Sequence, residues 1–135
     1  MRRLTGDYPG AGNALGEALD ISREIGDRGG EVETLNDMGA LYRVRGDLEQ
    51  ANTYHRQALE LAREIGSPWD EAEALAGLGR CALAAGRPTE AEDGLRQSQG
   101  IFQRIGATAE IAGLATELDT LTLDEQLGAS ADDRD

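Results

Sequence analysis

Gly10, Gly12 and Gly16 lie close enough together near the start of the chain to suggest a loop that cradles a phosphate. Such a loop works where a buried strand hands over to a helix whose first N–H groups face the anion. The residues ahead of it, Arg2-Arg3-Leu4-Thr5-Gly6-Asp7-Tyr8-Pro9, do not read as a strand. The three glycines therefore read as loose positions in a helix. His55 is the sole histidine, so no second imidazole completes a metal pair, and its place in the pattern described below is a packing position. Cys81 is the sole thiol, which excludes an internal disulfide, and no base is placed to activate it. Carboxylate pairs such as Glu60/Glu64 and Asp132/Asp133 are expected on solvated faces of a chain with 26 acidic residues. The sequence predicts no enzyme, no cofactor and no metal.

The elements that must position any other chemistry are set by length and charge. The chain has 135 residues, which suits one domain, and a net charge of −13, which argues against direct contact with nucleic acid. Only five residues are aromatic (Tyr8, Tyr42, Tyr54, Trp69 and Phe102), too few for a thick globular core. No apolar run approaches the roughly 20 residues of a membrane span, and no apolar stretch follows the first arginines as in a secretion signal. The expected location is the cytoplasm.

Internal similarity decides the architecture. Arg23-Glu24-Ile25-Gly26 returns as Arg63-Glu64-Ile65-Gly66 and, degraded, as Gln103-Arg104-Ile105-Gly106. Laying residues 4–43 on 44–83 gives 13 identities in 40 positions, against roughly three by chance for such a composition. Gly6/Gly46/Gly86, Ala11/Ala51/Ala91 and Ile25/Ile65/Ile105 extend the match into a third copy.

Each copy has helical periodicity. Leu35, Met38, Gly39 and Tyr42 share one face, and Ala51, Tyr54, Ala58, Leu61 and Ile65 share another. Breakers such as Arg45-Gly46-Asp47 and Ala85-Gly86-Arg87-Pro88 separate the faces, and Ser67-Pro68-Trp69-Asp70 reads as a capped helix start. Six helices are predicted, over 8–26, 30–43, 47–65, 69–83, 87–105 and 107–122, forming an all-α antiparallel helix-hairpin solenoid. The repeat domain spans 1–123, made of a half repeat (4–26), repeats 30–66 and 69–106, and a half repeat (107–122). Residues 124–135, acidic and rich in small residues, are expected to be a disordered tail.

Leu35, Met38, Gly39 and Tyr42, with Ala51, His55 and Ala58 following, resemble the tetratricopeptide repeat. Leu75, Leu78, Gly79 and Ala82, with Ala91, Leu95 and Ser98, resemble it less closely. The forty-residue period is longer than that family's usual thirty-four and is similar to a long-repeat subtype found in multidomain bacterial regulators. The resemblance implies a protein–protein interaction module whose first helices line a concave groove. Mapped onto this chain, the groove positions are Glu33, Asn36, Asp37, Ala40 and Arg43, then Glu73, Ala76, Gly77, Arg80 and Leu83, with Thr116 and Thr120 beyond. A partner peptide or helix is expected there, with basic segments to suit the acidic balance. The half repeats at either end imply uncovered apolar surface at Leu15, Leu19 and Ile25, and hence a second expectation, assembly into a homodimer or onto further repeats of a longer protein.

Overall fold

The computed structural model describes residues 8–133. They form six helices: α1 (Tyr8–Ile25), α2 (Arg28–Val44), α3 (Leu48–Ile65), α4 (Pro68–Ala84), α5 (Pro88–Ile105) and α6 (Thr108–Asp133). No strand occurs among the described residues, and the first residues of the expected opening half repeat lie outside them.

Glycine and a cap residue set the helix boundaries together. Gly26, Gly46, Gly66, Gly86 and Gly106 all have positive φ, between 67° and 87°, and recur every twenty residues. At Gly66 and Gly106 the left-handed residue itself ends the helix, a conformation that costs any residue with a Cβ about 1 kcal/mol or more. A new helix begins within two residues. The side chains of Asp27, Asp47 and Ser67 accept hydrogen bonds from the backbone N–H of Gly30, Gln50 and Asp70. The Asp27 cap explains why α2 starts at Arg28, two residues before the predicted boundary. α5 has no side-chain cap and opens instead on Pro88, whose missing N–H would have lacked a partner there.

Connections this short force neighbouring helices to run antiparallel. Each helix packs on the next, and α2 also packs directly on α4, so the even-numbered helices form the inner layer. One apolar cluster joins Leu19 of α1, Val32, Leu35 and Met38 of α2, Ala58 and Ala62 of α3 and Ala74 of α4. A second joins Leu75, Leu95, Phe102, Leu114 and Leu118 across α4, α5 and α6. Leu35, Leu95 and Phe102 are almost wholly enclosed, each contributing about 1.5–3 kcal/mol by burial. Cys81 is buried too, at the repeat position that Leu121 fills, also buried, on α6.

The two hairpins are held close in different ways. A methyl carbon at Gly39 would lie 2.5 Å from the His55 ring, and one at Gly77 would strike the same ring, so the imidazole fills a slot made by two glycines. In α4–α5 the glycines meet backbone. A Cβ on Gly79 would lie 3.0 Å from the Ala91 carbonyl oxygen, and one on Gly94 3.0 Å from that of Leu75. Surface ion pairs repeat with the fold: Arg23–Glu31 at 3.1 Å recurs forty residues on as Arg63–Glu71 at 3.2 Å.

α6 corrects the expectation of a disordered tail over 124–135. It continues through that stretch to Asp133, with residues 134–135 outside the described part. The twenty-residue rhythm of stop glycines would place the next one at position 126, which holds Gln126. With leucine, glutamate and glutamine over 123–127 and no breaker before Gly128, the backbone has no local reason to leave the helix.

Candidate interaction groove

Glu33, Asn36 and Asp37 on α2 and Trp69, Asp70 and Glu73 on α4 surround an open hollow of about 360 Å³ on the inner layer. Asn36 anchors its floor. Its amide nitrogen donates to the Asp70 carbonyl (3.4 Å) and its amide oxygen accepts from His55 Nδ1–H (2.9 Å). That pairing puts the imidazole proton on Nδ1 and leaves the Nε2 lone pair buried without a partner. His55 is 3% exposed. Burial first, and then the Arg43 and Arg80 charges, lower its pKa from 6.5 to about 4, so the ring is neutral at physiological pH.

The carboxylates of the hollow crowd one another. Burial, followed by the Glu33 charge, raises the pKa of Asp37. Burial also raises that of Glu73, with Glu110, Asp70 and Asp37 adding to the shift and Arg80 opposing it. A cation entering this region would relieve both groups. Trp69, 45% exposed, stands at the rim with its ring edge-on to Phe102, centroids 5.1 Å apart.

Toward the C-terminal ends of α2 and α4 the charge reverses. Arg80 is clasped by Glu117 of α6 through two hydrogen bonds, Nε to Oε2 at 3.0 Å and Nη2 to Oε1 at 2.6 Å. That hydrogen bond, more than Coulomb attraction alone, holds the guanidinium in its charged form. A smaller hollow of about 110 Å³ lies beside it, between Glu73, Phe102 and Glu110. Arg43 is half-buried and forms no ion pair among the described residues, and its Nε is enclosed without an acceptor.

Glu33, Asn36, Asp37, Ala40, Arg43, Glu73, Arg80 and Leu83 all lie on the even-numbered helices, half-buried or exposed. Ala76 and Gly77 depart from the expected groove set. Ala76 is 2% exposed and packs in the core beside Leu95 and Phe102, and Gly77 is covered by His55. Repeat position alone points to both, and at this step the helices are too close for small residues to reach solvent. Thr116 and Thr120 turn their hydroxyls back onto the carbonyls of Ala112 and Thr116. Sequence reasoning missed Trp69, Asp70 and Glu117. The first two sit in a helix start that reads only as a cap, and Glu117 acts between helices, on Arg80 of α4, where the periodicity of a single helix gives no signal. At the other end Leu19 is enclosed against α2 and Leu15 is partly buried, while among the described residues of α1 the large hydrophobics Ile21 and Ile25 are exposed.

Stacked antiparallel hairpins with one charged inner face define a helical-repeat protein of the interaction-scaffold class. The tetratricopeptide repeat family model matches residues 1–64 and again 31–104, and the chain belongs to that family. Among solved structures it is similar to the TPR domain of Arabidopsis FLU, with a TM-score of 0.56 and 24% identity, over 80% of this chain and 99% of that one. That likeness concerns the fold. No curated protein matches the chain. Tetratricopeptide repeats serve as protein–protein interaction scaffolds, and no helix among the described residues is long and apolar enough to cross a membrane.

Proposed function

We propose that the inner layer binds a segment of a partner protein carrying basic residues. The observation behind this reading is the hollow between α2 and α4, where four carboxylates and an exposed tryptophan meet with two of the acids already partly desolvated. A stacked array presents such a face ready-made, so little ordering is needed on the receptor side. The negative field steers cationic segments and makes binding salt-sensitive. The long repeat supports a place within a cytoplasmic bacterial regulator, with this module supplying the contact. The test is titration of a fluorescent lysine-rich peptide into the protein at rising salt. Affinity should fall steadily, a glutamate-substituted peptide should not bind, and Glu73→Gln with Asp37→Asn should weaken binding about tenfold or more. Binding that ignores salt and these substitutions removes the reading.

Self-association through α1 is favoured by one observation of its own, the exposure of Ile21 and Ile25. Sedimentation over a hundredfold concentration range decides it. A dimer lost on Ile21→Lys supports this second reading, and a monomer throughout ends it.

A further inference from the structure

The groove contains two arginines, and the chain neutralises only one of them. Arg80 takes the Glu117 carboxylate in a two-pronged contact. Arg43, six residues beyond Asp37 on α2, makes no ion pair among the described residues, and its Nε–H is enclosed with no acceptor. The two arginines stand at different repeat positions, Arg80 at that of Ala40 and Arg43 at that of Leu83, so the α4-to-α6 ion pair has no equivalent between α2 and α4. His55 fills the space over Gly77 but offers no charge, since its proton is on the side facing Asn36 and its Nε2 has no partner. A half-buried guanidinium beside a neutral ring, its enclosed Nε–H without an acceptor, lacks the carboxylate that Arg80 has in Glu117.

We infer that Arg43 receives a carboxylate of the partner, from an aspartate or glutamate side chain. The inference rests on the reading of the inner layer as a docking groove and adds direction to it. Basic residues of the partner lie over the carboxylates at the N-terminal halves of α2 and α4, and its acidic residue lies over Arg43. Six helical residues separate Asp37 from Arg43, roughly 9 Å at 1.5 Å per residue. An extended partner covers that span in about three residues. The recognised segment therefore carries a lysine or arginine followed or preceded, three or four positions away, by an acid. A side chain is preferred to a chain end because Leu83, at the same repeat position on α4, is exposed and gives the partner chain apolar surface to follow beyond the contact.

A bead library of C-amidated 12-residue peptides, incubated with the labelled full chain, tests this by letting the protein select its own ligand sequence. The wild type should enrich peptides pairing a basic with an acidic residue at that spacing. Arg43→Gln should lose the acidic preference and keep the basic one, and Arg43→Lys should recover part of it. For an enriched peptide, Glu→Gln should weaken binding to the wild type about tenfold and to Arg43→Gln hardly at all. Circular dichroism melts confirm that the variants fold. Basic peptides without an acidic position would overturn the inference and leave the groove reading intact. No enrichment, or enrichment indifferent to Arg43, Asp37 and Glu73 substitutions, would remove both. Acid preference that appears only in a library with free C-termini would assign Arg43 to a chain end and overturn the side-chain assignment.

Discussion

The hairpins α2–α3 and α4–α5 share a period and turns, and each is tied to the helix before it by the same ion pair, yet they close by different means. In α4–α5 the main chains nearly touch, with Gly79 against the Ala91 carbonyl and Gly94 against that of Leu75. Leu95 fills the remaining core, and Ser98 donates a buried hydrogen bond to the Ala72 carbonyl at 2.7 Å. In α2–α3 side chains do that work. Tyr42 and Tyr54 stack with centroids 5.4 Å apart, and His55 occupies the slot between Gly39 and Gly77. The same repeat position thus demands glycine for two reasons, a carbonyl in one hairpin and an imidazole in the other.

Exchanging the two large residues should expose this asymmetry most strongly. Leu95→His places a polar ring where position 117 holds Glu117 and not a second glycine, and should cost about 3–5 kcal/mol in denaturant unfolding. His55→Leu, entering a slot that already accepts a larger ring, should cost less than about 1.5 kcal/mol. Equal costs would mean the hairpins are interchangeable after all.

Acid should separate them next. His55 is neutral in the folded chain with a pKa of about 4, against 6.5 when unfolded. Its contribution is complete above pH 6.5 and is lost as pH falls toward 4, because the unfolded chain takes up the proton first. The loss amounts to about 3 kcal/mol. The raised pKa values of Asp37 and Glu73 act in the opposite sense at these more open sites. Urea melts of wild type and His55→Leu between pH 7 and 4 should therefore converge and then cross, the variant becoming the more stable near pH 4, and parallel curves would remove the histidine from the account.

Alanine at the glycines sharpens the contrast. Gly77→Ala should cost about 1–3 kcal/mol, relieved in a His55→Ala background. Gly79→Ala should gain no such relief from Leu95→Ala, since two of the atoms its methyl meets, the Ala91 carbonyl oxygen and the Leu95 amide nitrogen, are backbone. The smallest effect is expected at Ser98→Ala, about 1 kcal/mol for one buried hydrogen bond, with Ala58 as the apolar precedent at the same repeat position.

What the sequence revealed divides along physical lines. The helix order, the turns and the enclosure of Ala51, Ala58 and Ala91 follow from local rules that recur every forty residues, and recurrence makes them readable. The course of α6 was not readable, because it depends on a missing signal at Gln126, and a small-residue acidic stretch resembles a solvated tail. In the groove, repeat position brought Glu33, Asp37, Glu73 and both arginines to one face. It could not show that Ala76 and Gly77 are consumed by packing, since that depends on interhelix distance. Trp69 and Glu117 were hidden for a related reason: each acts across a helix boundary, where no single-helix periodicity applies.

The lone thiol gives this solenoid a built-in clock. Cys81 is 2% exposed and burial raises its pKa, so a reagent in solution cannot modify it while α4 stays seated. Modification must wait for the middle of the stack to part, and its rate then counts how often the layers separate under native conditions. A partner lying across α2 and α4 would slow that clock without touching the sulfur, turning a passive side chain into a gauge of occupancy.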